Sequence, residues 1–230
     1  MAKEPAEKIT ARTMGALVQF IEQRQYVPGE RLPSERELAE RFDVGRGVVR
    51  EVLSVLENLR YLERRPNSGI YLNEAGRSSH ETLALFSNLN VNVSKERLAE
   101  AMEARRILEV QAIALAAQRR TDADLRSMRE IVERFGLAAE NDLSSLATLD
   151  YEFHMAIFRA AHNLVLMQLV TPFYLMSESR GPMFFNEKAR GLASNEQHKL
   201  LVAAIDEQDV MKAQQLMSEH IDQVQAHYHV

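Results

Sequence analysis

The segment SERELAERFDVGRGVVREVLSVLEN, residues 34–58, contains two short helical patterns interrupted at Asp43-Val44-Gly45. Ser34 followed three residues later by Glu37 is a capping box, in which each side chain satisfies a backbone N–H that the first helical turn leaves unpaired. Leu38, Ala39 and Phe42 then define the inward face of the first helix. After the turn, Val49, Val52, Leu53, Leu56 and Leu59 recur at helical spacing, which leaves Arg46 and Arg50, four residues apart, on the exposed side. Next in the chain, ERRPNSGIYL, residues 63–72, sets the turn residues Pro66-Asn67-Ser68-Gly69 between two short extended runs, the pattern of a hairpin. Two tightly joined helices followed by a two-stranded wing are an arrangement that binds DNA.

Arg46 and Arg50 lie in the N-terminal part of the second helix, where a recognition helix meets base edges. A guanidinium can bond O6 and N7 of guanine together in the major groove, so arginine is the residue type that guanine reading requires. Arg36, near the start of the preceding helix, can reach a phosphate or a nearby base. The plainer alternative is a solvated helix face, with Arg46 and Arg50 paired to Glu57 or Glu51; the adjoining hairpin weighs against it.

The whole chain of 230 residues is 46% hydrophobic and 27% charged, enough for one medium domain and one small one. It has no cysteine, which excludes disulfides, thiolate zinc sites and thiol nucleophiles. A charged N-terminal stretch and the lack of a long apolar run point to the cytoplasm and away from the membrane. The net charge of −5 falls entirely outside residues 1–75, which hold 12 basic and 12 acidic residues. A neutral module still suits DNA if its arginines share one face.

NEAGRSSH, residues 73–80, reads as a linker, dividing the chain into a DNA-binding module over 1–75 and a second domain over 76–230. Beyond it the apolar spacing predicts amphipathic helices over about 94–119, 121–140, 143–161, 164–179, 193–207 and from 209 to near the end. Thr121 with Asp124 forms a capping box, and Asp209 is a suitable N-cap. The expected fold is mainly α: an N-terminal winged helix-turn-helix and a C-terminal all-α helical bundle.

Within that bundle, DYEFHMAIF (150–158) sets Asp150 and His154 one helical turn apart, a spacing that metal sites on helices use. Taken alone, the pair equally suits an aspartate orienting a core histidine. His198 precedes Leu201, Val202 and Ile205, and His220 follows Leu216 and Met217, so both belong to stripes that face inward. Three imidazoles and a carboxylate aimed inward from three helices are costly unless something binds them together, and a divalent metal does so. His80, His162, His227 and His229 are read as ordinary surface, helix-end or tail residues.

Residues 28–72, with LPSERELA and the R-x-x-x-R of Arg46 and Arg50 as the most specific parts, resemble the winged helix-turn-helix of GntR-family transcription regulators. The resemblance implies DNA contacts from Arg36, Arg46 and Arg50, and a wing, here Asn67-Ser68-Gly69, that enters the minor groove. Gly45 stands where the family usually has Ser or Thr, and Asn67-Ser68-Gly69 replaces the usual Gly-x-Gly. Residues 83–228, through EARRILE (103–109), Asp150-x-x-x-His154 and the segment 196–220, resemble the helical effector domain of the FadR-type branch. That likeness implies that Asp150, His154, His198 and His220 coordinate a divalent ion, zinc first, nickel or another transition metal otherwise. It also implies a small carboxylate effector, assisted by Arg105.

The sequence thus predicts a homodimeric repressor of a pseudo-palindromic double-stranded operator, responsive to a sugar acid, hydroxy acid or dicarboxylate, with no catalytic residues. Two alternatives stay open: a metal-dependent enzyme acting on a small organic acid, against which no general base is recognisably placed beside the four ligands, Glu152 and Glu196 being the remaining candidates, and a regulator that senses the metal itself.

Overall fold

The computed structural model describes residues 5–74, 81, 82, 85, 89, 95–177 and 184–228, and the chain divides into two compact units, 1–93 and 94–230. Most of the predicted linker (75–80), His80, His229 and the start of the resemblance at Leu83 lie outside the described residues.

In the first unit, α1 (Ala6–Gln23), α2 (Glu35–Phe42) and α3 (Arg46–Asn58) pack around Leu17, Val18, Ile21, Leu38, Val52, Leu53 and Leu56, all essentially solvent-free. Helix α2 starts on the predicted capping box: Ser34 Oγ accepts from Glu37 N, and Glu37 Oε2 accepts from Ser34 N at 2.8 Å. It stops at Asp43, whose φ of 52° is left-handed and which hands the chain to Gly45 at the N-cap of α3. Val49, Val52, Leu53 and Leu56 are buried as expected, whereas Leu59 is half-buried because it caps the helix rather than continuing its face.

The hairpin forms from β2 (Leu62–Arg65) and β3 (Gly69–Leu72), paired antiparallel with Arg65 opposite Gly69. A two-residue strand that the sequence reading did not foresee, β1 (Arg31–Leu32), adds to the free edge of β3 and gives the order β1-β3-β2. Two residues are too short for a period-two pattern to register.

The second unit is helical throughout its described residues: α4 (Lys95–Arg119), α5 (Asp122–Asn141), α6 (Leu146–Ala160), α7 (Leu164–Ser177), α8 (Lys188–Asp206) and α9 (Val210–Tyr228). Two boundaries differ from expectation. A 3₁₀ turn over Leu143–Ser145, started by Asp142 accepting from Ser144 N, precedes α6. Helix α8 begins at Lys188, five residues before the predicted start, and brings Gly191 against Leu146 and Ala139. A β-carbon there would sit 2.7 Å from Leu146 Cδ1, so the missing side chain is what lets α8 approach α5 and α6. The Thr121–Asp124 box caps α5, and Asp209 Oδ1 accepts from Lys212 N at the start of α9.

The core of this unit runs through Ile113, Ala116 and Ala117 of α4, Met128 of α5, Phe153 and Ile157 of α6, Leu201 and Ile205 of α8, and Met217 of α9. The small residues of α4 let its neighbours close in. Polar side chains at the same depth then have only each other as partners, which sets up the site.

Candidate metal centre and nucleic-acid interface

Helices α6, α8 and α9 bring Asp150, His154, His198 and His220 together, with one ligand atom from each lying within 4.8 Å of the others. The three histidines are buried; the Asp150 side chain keeps 21% of its exposure. Its Oδ1 lies 3.4 Å from His198 Nε2 and 3.9 Å from His154 Nε2. The second distance is too long for a hydrogen bond, so Asp150 does not orient His154, and the plainer sequence reading of that pair fails.

The partner of His154 is Glu109 of α4, whose Oε2 is 2.5 Å from His154 Nδ1, in contact though not aligned as a hydrogen bond. His220 Nδ1 lies 2.7 Å from Gln197 Oε1. Each Nδ1 faces an oxygen acceptor, so an Nδ1–H on either ring has a partner there. The Nε2 atoms of the two rings lie 3.3 Å apart. At that distance one ring nitrogen can donate to the other, or both can turn lone pairs to a shared cation. His198 sharpens the point: both of its ring nitrogens are fully buried with no hydrogen-bond partner.

These residues fit a divalent ion. With metal–nitrogen bonds of about 2.0–2.1 Å, donors at tetrahedral or octahedral angles sit roughly 2.9–3.4 Å apart, which spans the observed 3.3 Å. The protonation states suit as well. Burial, and then His198 and His154, push His220 well below the ordinary histidine range, and burial also lowers His198. Burial alone raises Asp150, but the surrounding histidines outweigh it and hold the carboxylate ionised. Neutral imidazoles at His198 and His220 and an ionised Asp150 are protonation states that a metal binds.

Arg105 is buried beside this cluster. Its Nε donates to Glu109 Oε1 at 2.5 Å, its guanidinium lies 4.2 Å from the centre of the Tyr174 ring, and the Tyr174 hydroxyl donates to the same Glu109 oxygen at 2.6 Å. Among the described residues its terminal nitrogens have no hydrogen-bond partner. Glu109, Tyr174 and Gln197 were not singled out from sequence. The Arg105–Glu109 spacing of four was available as a signal, whereas Tyr174 and Gln197 carry none without the packing.

Glu152 and Glu196, the candidate bases of the enzyme alternative, face elsewhere. Glu152 accepts from Arg134 and Glu196 from Lys199, both near the surface. His162, set aside from sequence, pairs with Asp124 at 3.1 Å.

In the first unit Arg36, Arg46 and Arg50 are all exposed. Arg46 has no ion pair or hydrogen bond among the described residues. Arg50 pairs with Glu35 at 2.7 Å, not with Glu51 or Glu57, because Glu57 is taken by Arg64 and Glu51 by Thr10. Arg36 and Glu40 form a loose pair at 3.5 Å. At the wing, Asn67 adopts a left-handed φ of 56° and Ser68 Oγ bonds Tyr71 OH at 2.7 Å. A side chain at Gly69 (φ 138°) would strike Arg31, whose Nε would lie 2.7 Å from the added carbon. Arg31 and Arg65, both exposed, flank this tip and were missed as basic residues of the wing.

Residues 9–72 match the bacterial regulatory proteins of the gntR family, and residues 100–223 match the FCD domain. The chain belongs to the GntR family of DNA-binding transcription regulators. This GntR-family regulator is 33% identical to the Uxu operon transcriptional regulator of Escherichia coli strain K12, over 92% of this chain and 83% of that protein. It is 28% identical to the galactonate operon transcriptional repressor of the same strain, over 90% of both chains. Among solved structures, Streptococcus agalactiae GntR aligns at 29% identity and a TM-score of 0.51, covering 94% of this chain and 99% of that one. The relatives are regulators, so the enzyme alternative has no support from them. Among the described residues no helix is long and apolar enough to cross a membrane.

Proposed function

We propose that this regulator binds a divalent ion, zinc in the first place, through Asp150, His154, His198 and His220, and uses it to sense a small carboxylate. The observation that carries the reading is the convergence of the four side chains, one ligand atom from each within 4.8 Å of the others, around a His198 ring that is buried without a hydrogen-bond partner. When bound, the ion offers a Lewis-acid point to a carboxylate or hydroxyl oxygen of the effector. The chain's own residues do the rest. Arg105 turns its free guanidinium edge to the acid, Tyr174 packs beneath that guanidinium, and the buried surroundings exclude water that would compete for the charge.

The effector belongs to the sugar acids, hydroxy acids or dicarboxylates. The printed name of the galactonate operon repressor supports the first of these, since galactonate is a sugar acid. Operator reading falls to the module over 1–75 through Arg36, Arg46, Arg50 and the wing Asn67-Ser68-Gly69, while 76–230 senses the effector and forms the dimer. The regulator acts in the cytoplasm as a homodimeric repressor, each recognition helix meeting one half of a pseudo-palindrome. Whatever factor the acid applies to operator affinity, operator DNA applies to acid affinity.

Thermal-shift screening of galactonate, lactate, gluconate and a set of dicarboxylates, with and without chelator, tests the proposal. At least one acid is expected to raise the melting temperature, and chelator is expected to abolish that rise. A rise that survives complete metal removal would place the effector elsewhere. Operator affinity that tracks the metal and ignores every acid would instead favour a metal sensor.

A further inference from the structure

Glu109 is nearly solvent-free, and three groups from three different helices converge on it: Arg105 of its own α4, His154 of α6 and Tyr174 of α7. Its two oxygens have different duties. Oε1 accepts from Arg105 Nε and from the Tyr174 hydroxyl, whereas Oε2 faces His154 Nδ1. A carboxylate so enclosed is costly, and a core needing only packing would be served better by an apolar residue.

We infer that Glu109 is the positioning residue that joins the two halves of the pocket. Through Oε2 it keeps the His154 proton on Nδ1 and so commits Nε2 to the metal. Through Oε1 it grips Arg105 by Nε alone and leaves the terminal guanidinium edge to the acid. A nitrogen lone pair 2.5 Å from a carboxylate oxygen would be repelled, so the contact itself selects the tautomer. The inference rests on the metal reading above for its consequence, but not for the contact.

Glu109→Gln separates this role from packing, because it preserves size and removes one acceptor. With its oxygen toward Arg105, the amide N–H₂ faces His154 and drives the ring proton to Nε2; with the amide turned, N–H₂ faces a cation. Either orientation breaks one of the two arrangements. Zinc affinity, measured by competition with a chromogenic chelator, is expected to fall roughly 10- to 100-fold relative to wild type, the range seen when an outer-shell partner of a metal-bound histidine is lost. A second reading needs no folded variant of Glu109. Ring ¹⁵N shifts of metal-free wild-type protein, with His154 assigned by the signal lost in His154→Asn, are expected to show the proton on Nδ1.

A proton on Nε2 in the metal-free wild type would overturn the inference, and so would equal zinc affinity in a folded Glu109→Gln protein with an unchanged tautomer. If the wild type takes up no zinc, the metal reading fails by itself, and the His154 tautomer still decides the role of Glu109.

Discussion

Replacing His198 with alanine is expected to remove the divalent ion and, with it, the response to acid, while leaving the metal-free fold close to its original stability. The second half of that expectation follows from the environment of the ring. His198 stacks on Phe153 with centroids 4.0 Å apart and meets Phe135 edge-on at 4.9 Å, so truncation opens a cavity. The same truncation deletes Nδ1, buried with no hydrogen-bond partner at a cost of about 1–3 kcal/mol while unsatisfied, and Nε2, whose nearest acceptor is Asp150 Oδ1 at 3.4 Å. The two effects oppose each other in the metal-free protein. In the metal-loaded protein only loss remains. Ligand at about 100 times its dissociation constant stabilises by about 2.7 kcal/mol, which for a chain of this size is on the order of 5–10 °C. Zinc titration in a thermal-shift assay is expected to show that rise in the wild type and none in His198→Ala. An equal rise in the variant would return His198 to a structural role.

Arg50→Ala is expected to lower discrimination between operator and random DNA by about 1–3 kcal/mol, roughly 5- to 150-fold. The ion pair with Glu35 does not argue against this role. The Arg50 side chain remains 64% exposed, and exposed pairs contribute only about 0–1 kcal/mol, so DNA can displace the glutamate at little cost. Arg46, with no partner to give up, is available to a base without that exchange. The check is binding measured on specific and random duplexes at one fixed salt concentration, because phosphate contacts make absolute affinities salt-dependent. Unchanged discrimination with weaker overall binding would assign Arg50 to the backbone instead.

Much of this architecture can be read from local pattern. Both capping boxes, at Ser34–Glu37 and Thr121–Asp124, form as their spacing implies, since a capping box needs only residues three apart. The hairpin turn at residues 66–69 is legible for the same reason. What escapes is whatever depends on another element. The strand Arg31–Leu32 exists only because the edge of β3 offers partners to its backbone. The early start of α8 depends on Gly191 meeting Leu146 and Ala139 across the bundle.

The candidate site divides along the same line. Its four candidate ligand positions follow from helical phase, because His198 and His220 sit on apolar stripes and Asp150 and His154 lie one turn apart. The residues that hold those ligands do not. Gln197 precedes His198 by one residue yet serves His220 on another helix, and Tyr174 reaches Glu109 from a helix whose sequence is mostly apolar. Phase alone also does not find the partner of His154: Asp150 is near in sequence, but Glu109 on α4 makes the contact.

On the proposed reading, three buried histidines and the partly exposed Asp150, carried by α6, α8 and α9, hold a metal. Elemental analysis of the untagged full chain, purified without chelator and dialysed against metal-free buffer, tests it most directly. About one divalent ion per chain is expected, since a preformed, deprotonated ligand set of this kind retains its ion through dialysis. Protein that retains less than about a tenth of an ion per chain, and takes up none when zinc or nickel is supplied before dialysis, would contradict it.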